Sequence, residues 1–233
     1  MIFYLAIPLT LLLYWLTRAL YRLKPLPFIN PVLIPMLLIM ALLSYFGLSL
    51  ADYQAGARPI HLLLEPAVVA LAIPLYQQLG QIRARLKPIL LCCTVSVLIS
   101  VLLTFITCSL LPVPPEIISS IATRSITTPL AMSVSTSLGG IAAIAAAIVV
   151  LVGILGAVVG FPLLKLFGVT DPQAQGLAMG ACSHAVGTAA AAERGISQGA
   201  FSSLAMVACG LLTAILAPLL FAGYHLLQQW FTG

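Results

Sequence analysis

Apolar runs near the length of a bilayer follow one another along the whole chain, at about 2–17, 28–50, 62–79, 88–112, 117–138, 141–164, 172–193 and 199–222. A spanning helix needs about 20 such residues. Between the runs lie short polar linkers, among them residues 18–24, 51–59, 80–87, 112–116 and 165–171. Charged residues make up 6% of the 233, against roughly 25% in a soluble domain. Ten basic and five acidic side chains cannot cover a soluble surface of this size. The bilayer must be the solvent. The expected fold is an all-α polytopic membrane protein of about seven or eight transmembrane segments, forming one membrane domain over residues 1–233.

The excess of basic residues is topological. Arg18, Arg22 and Lys24 lie in one linker, and Arg83, Arg85 and Lys87 in another two runs later. The positive-inside rule places loops 18–27 and 80–87 in the cytoplasm and the N-terminus outside. No nucleic-acid partner is implied. The first run is not preceded by a basic region and ends in Arg18 and Arg22, so it is expected to stay as a membrane helix. Cys92, Cys93, Cys108, Cys182 and Cys209 all sit in apolar stretches without CxxC spacing. They read as small apolar filler, not as a disulfide framework or metal site. Enzyme motifs such as HExxH, GxSxG and P-loops are lacking, so no catalysis, metal or cofactor is expected.

Glycine is concentrated beyond residue 116. Gly156/Gly160, Gly176/Gly180 and Gly195/Gly199 have the spacing that lets helices approach closely. Plain packing is the first reading, and a homo-oligomer a second. The sequence also echoes itself. Residues 30–33 resemble 128–131, and residues 65–70 resemble 183–188, in the same order. Halves at about 28–112 and 117–222 would form a degenerate repeat of the kind carriers use.

Two segments place polar groups where lipid penalises them, which calls for at least two broken helices. In the first, Arg124 precedes Ser125, Thr127, Thr128 and Pro129. Arginine at a helix centre costs about 2.5–3.5 kcal/mol, and proline disfavours helix at the residue before it. The helix is expected to stop near Arg124 and restart at Pro129, capped by Thr127 or Thr128. Freed N–H groups and the guanidinium would then converge on an anion, and a carboxylate suits them. In the second, Ser183, His184, Gly187 and Thr188 interrupt a run of small residues. Gly187 permits a break and Thr188 a cap. His184 reads either as a ligand and proton carrier or as an interhelical hydrogen bond. Glu65, before Pro66, reads equally as a proton-coupling carboxyl or as a solvated residue at the interface.

These segments carry a family resemblance. Thr123-Arg-Ser-Ile-Thr-Thr-Pro-Leu-Ala131 resembles the K-S-V-T-T-P-I-A signature of the LrgB/CidB family, which includes YohK-like inner-membrane proteins. Gly176 to Thr188 is similar to its G-L-A-x-G-x-x-S-H-A-x-G-T stretch. Pro66 to Tyr76 and Asn30-Pro31 also fit. Arg124 departs from the usual lysine, Ala190 from a frequent arginine, and Glu65 from a neutral residue. The resemblance implies a bacterial inner-membrane protein with a small LrgA/CidA-type membrane partner. It implies one of two functions. One is a carrier of small carboxylates, since plastid relatives move glycolate and glycerate and bacterial relatives are linked to pyruvate. The other is a holin/antiholin-like modulator of murein hydrolase export and cell lysis. It also implies kinship with inverted-repeat, antiporter-like folds. On the carrier reading Arg124 holds the carboxylate. Ser125, Thr127, Thr128, Ser183 and Thr188 bond the remaining oxygens, and His184 orients substrate or relays a proton.

Overall fold

A computed structural model describes residues 2–23, 33–63, 66, 69–70, 72–111 and 113–232, and every element among them is helical. Asn30, Pro31 and Glu65 lie outside the described residues. The helices are α1 (Ile2–Leu23), α2 (Leu33–Tyr45), α3 (Leu50–Gly56), α4 (Arg58–Leu62), α5 (Ala72–Gln77), α6 (Leu79–Ala84), α7 (Leu86–Ser109), α8 (Pro115–Ala122), α9 (Thr128–Ser137), α10 (Ala142–Leu166), α11 (Pro172–Arg194) and α12 (Ile196–Thr232).

Among the described residues, α1, α7, α10 and α12 contain stretches long and apolar enough to cross a bilayer, and α2 is a shorter apolar helix. Their outward faces are strongly apolar. Leu155 is 62% exposed, Leu211 61% and Leu219 66%. Water would penalise such faces and lipid does not. The chain is thus a multi-pass membrane protein, and four helices among the described residues have full spanning length. The expected run at 62–79 contains the short helix α5, and those at 117–138 and 172–193 fold differently from spans, as described below.

Residues 1–71 and 72–233 form two compact units. In the first, α1 packs on α2 and α3 through Leu9, Leu13, Ile39, Leu43 and Tyr53. The Tyr53 and Thr10 hydroxyls hydrogen-bond at 2.7 Å. Gly56 lies against the Phe3 backbone, where a Cβ would come within 2.1 Å of the carbonyl oxygen.

The second unit is built on α7, α10 and α12. Cys93 meets Cys209 and Phe105 meets Phe221, pairs with the same sequence separation, so α7 and α12 run parallel. Met179 packs at Gly160 and Ser183 at Gly156, so α10 runs antiparallel to the first half of α11. That half runs parallel to α12, with Gly176 at Gln198 and Gly180 at Ser202. Hence α7 and α12 cross in one direction and α10 in the other.

The remaining two segments are re-entrant hairpins. Ser120 donates to the Ile141 carbonyl at 3.3 Å and accepts from its N–H at 2.8 Å. Ser119 donates to the Leu138 carbonyl at 2.9 Å. A straight helix would hold Ser120 and Ile141 about 30 Å apart. The segment expected to span at 117–138 therefore turns back at residues 123–127 and leaves by the face it entered. Here α8 and α9 are its two arms. The segment at 172–193 does the same. Its second arm runs back along α12, with Thr188 at Ser202 and Ala192 at Gly199. A Cβ on Gly187 would lie 2.7 Å from the Met179 carbonyl oxygen. In a continuous helix those residues are about 12 Å apart.

Chain direction then sets the hairpins' origins. The first begins where α7 ends, and the second where α10 ends, on the opposite face. The two enter the unit from opposite sides and their tips point at each other.

Candidate functional site

The first hairpin's tip is an extended stretch between two helices. Thr123 is fully buried and donates to the Ser120 carbonyl at 3.2 Å, closing α8. Thr127 takes the extended N-cap position before α9 but does not make the expected capping bond. No side-chain bond from it caps the helix, so the hydroxyl leaves the first-turn N–H groups open. Pro129 falls in that first turn, where its missing N–H and fixed φ cost nothing. Ile126 anchors the tip by packing with Val149 and Ala217.

Arg124 is half-buried at this tip. Its Nη1 donates to the Thr104 hydroxyl, and at 3.5 Å to the Ile121 carbonyl. Its Nη2 donates to the Ser100 carbonyl at 3.0 Å. Thr104 in turn donates to that carbonyl at 3.0 Å, so its hydroxyl both gives and receives. Ser125 meets the Ser100 hydroxyl at 2.8 Å. These contacts fix the guanidinium near the middle of α7. They use three of the five N–H groups an arginine carries. Among the described residues two guanidinium N–H groups are left without a partner.

The second tip is tighter. Ser183 has φ −129° and ψ 15°, and His184 has φ 40° and ψ −134°. His184 is the one non-glycine residue with positive φ among the described residues. Such a conformation costs of order 1–3 kcal/mol and persists only where surroundings impose it. Here α10 imposes it. Gly153 and Gly156 leave a notch that Ser183 and His184 fill, where a Cβ would come within 1.6 Å of Ser183 Oγ and 2.6 Å of His184 Cε1. His184 Nε2–H donates to the Val149 carbonyl at 2.9 Å, and the ring is 3% exposed.

This corrects the expected position of the second break. The helix reverses at Ser183–His184, while Gly187 sits in the returning arm. Gly187 is needed there because it lacks a Cβ, which allows the arms to pack together. Thr188 does not cap a half-helix. It is fully buried and bonds Ser202 Oγ at 2.9 Å. The other glycines behave as packing residues, with Gly176 and Gly180 against the α12 backbone and Gly160 against Met179.

The tips come together at α10. Val149 shares a cluster with Ile126 of the first tip and accepts from His184 of the second. Of the expected site residues, Arg124 and Ser125 therefore share Ser100. Ser183 and His184 are turned into the α10 notch, and Thr188 is turned to α12. The Thr127 and Thr128 side chains stay near the first tip without a hydrogen bond among the described residues. Ser96, Ser100 and Thr104 were not anticipated. Their i, i+4, i+8 spacing puts one polar stripe along an apolar helix, and that was the available signal.

The model of the LrgB-like family matches residues 10–222. The chain belongs to the LrgB-like family. It is 37% identical over 220 residues to an uncharacterised protein of Haemophilus influenzae, covering 94% of this chain and 95% of the relative. It is 35% identical over 218 residues to the uncharacterised protein YxaC of Bacillus subtilis, with 94% and 95% covered. It is 34% identical over 216 residues to the holin-like protein CidB of Staphylococcus aureus, with 93% and 94% covered. No solved structure matches the chain.

Proposed function

We propose that this LrgB-like protein is a secondary carrier of small monocarboxylates such as glycolate, lactate or pyruvate, acting in the bacterial inner membrane with a small LrgA/CidA-type partner. The observation that carries this reading is Arg124. It is tied down by Thr104 and Ser100 on α7, and two of its five N–H groups have no partner among the described residues. A charge whose only purpose was helix packing would cost more than a neutral hydroxyl in the same place. A planar fork with spare donors suits a carboxylate. The first turn of α9 begins at the same tip without a side-chain cap, so its N–H groups can add to the site.

Opposed hairpins that meet at mid-membrane also favour a carrier. Irregular backbone at depth is tolerated where it lines a cavity, and broken segments near a repeat interface are where carriers bind cargo. The repeat halves at 28–112 and 117–222 belong to this proposal, as does proton coupling through His184 or Glu65. Loops 18–27 and 80–87 are assigned to the cytoplasm on the same footing.

The printed name of the staphylococcal relative, a holin-like protein, favours a second reading. On it the chain modulates murein hydrolase export and lysis without transport, and Arg124 serves only the first hairpin. Uptake into proteoliposomes separates the two. The carrier reading expects labelled glycolate, lactate or pyruvate to accumulate, with the small partner added where needed. Arg124→Gln should lower uptake about 10- to 100-fold, the worth of one charge-assisted hydrogen-bond set. No uptake of any of the three acids, with or without the partner, rejects the carrier.

A further inference from the structure

A cavity of about 540 Å³ opens between the C-terminal halves of α7 and α12, wholly within the second unit. Ligand sites run to roughly 300–1,000 Å³. Phe105 and Leu220, which belong to the packed interior, line it together with the exposed Leu102, Ile106 and Leu219. Gly223 lines it too, and a Cβ there would meet nothing within 4 Å. Two hydroxyls mark one end. Ser109 and Tyr224 hydrogen-bond at 3.1 Å, and the Tyr224 ring stacks on Phe105 with centroids 4.3 Å apart. That end lies at the membrane surface. Ser109 is the last of the 24 residues of α7, which rise about 36 Å against about 30 Å of hydrocarbon. The apolar stretch of α12 likewise ends at Tyr224.

We infer that this cavity holds one acyl chain of a membrane phospholipid, with the ester group at Ser109 and the chain running toward Leu102. The inference does not depend on the carrier reading. The exposed leucines on its rim face the bilayer, and an empty opening there would forfeit dispersion contacts along its walls. The apolar lining suits a hydrocarbon chain. The Ser109 hydroxyl is exposed, and its bond to Tyr224 does not use up its three hydrogen-bonding positions, so it can also meet an ester oxygen. A docked transmembrane helix fits less well. Helix interfaces in membranes are rich in small residues, whereas this lining is mostly leucine, isoleucine and aromatic rings. Phe105 and Leu220 also pack with Ile118 and Ala122 of the first hairpin's entering arm. The bound chain therefore backs the wall on which that hairpin rests.

The test is photolabelling of the full chain in vesicles of phosphatidylethanolamine that carries a diazirine either beside the ester or at mid-chain, followed by peptide mapping. The probe beside the ester should label residues 109–110 and 223–224. The mid-chain probe should label residues 102–106 and 219–220, about 10 Å deeper along the helices. Both should exceed the labelling of the exposed α10 face at Leu151 and Leu155 about fivefold, the worth of one hydrogen bond. Gly223→Leu places a side chain in the open space and should bring both signals down to the α10 level, while Gly223→Ala should keep most of them. Labelling no stronger than at α10 in the wild type means ordinary lipid contact and overturns the inference. So do the two probes in reversed order, or signals that Gly223→Leu leaves unchanged. Absence of label from both stretches would mean that protein covers the cavity, and also overturns it. Should Gly223→Leu fail to fold, Ile106→Trp fills the cavity from the other helix and is read in the same way.

Discussion

The first hairpin reverses over five residues, 123–127, and the charged side chain at its tip, Arg124, is tethered to α7. The second reverses over two, Ser183 and His184, both buried in a glycine notch with the imidazole bonded to a carbonyl. The first tip holds its shape through side-chain hydrogen bonds and can offer groups to a ligand. The second holds its shape through steric fit, at the expense of a strained backbone. Chemistry and form are thus divided between two elements that enter from opposite faces.

That division predicts different responses to substitution. The largest effect should fall on the sterically set hairpin. In Gly180→Ala the new Cβ would lie 2.0 Å from the Ser202 carbonyl oxygen, with backbone on both sides. Monodisperse protein in detergent should fall severalfold or more. Gly223→Ala is the control, because nothing lies within 4 Å of its Cβ, and it should fold as well as the wild type or slightly better. Equal yields from both variants would mean that α11 does not pack closely on α12.

The first hairpin should show the reverse pattern. Arg124→Gln removes a half-buried charge while the amide retains hydrogen bonds, so thermal stability should change by under about 1 kcal/mol. Uptake should nevertheless collapse as stated above. A variant that unfolds would show that Arg124 is structural, and the contrast between the tips would disappear.

A smaller effect probes the strain at His184. Both His184→Ala and His184→Gly lose the bond to Val149, but only glycine accepts φ 40° freely. The glycine variant should be more stable than the alanine variant by about 1 kcal/mol, read as thermal midpoints in detergent. An alanine variant of equal or greater stability would place the reversal elsewhere.

The sequence revealed the penalties more readily than their resolution. Arg124 and Pro129 announce a break because lipid disfavours the charge and proline the continued helix. The direction taken after the break depends on Ser120 meeting Ile141, a long-range contact that no local pattern encodes. Hydropathy therefore counted both hairpins as spans, since each has two apolar arms of about a half-membrane. Gly187 is ambiguous in the sequence because glycine signals either a free φ or a missing Cβ, and here the second applies. The real reversal falls on a histidine, where positive φ is uncommon. Ser96, Ser100 and Thr104 were legible as a stripe, but hydroxyls in membrane helices usually bond their own backbone, which masks such a signal.

The central claim is that the two hairpins enter from opposite faces and meet at depth. Single cysteines at Pro114, Gly139, Asp171 and Gly195 in a cysteine-free background, labelled in oriented vesicles with a membrane-impermeant maleimide, test it directly. Positions 114 and 139 should label from one side, and 171 and 195 together from the other. Labelling of 114 and 139 from opposite sides, or of 171 and 195 from opposite sides, would make those segments spans and contradict the account.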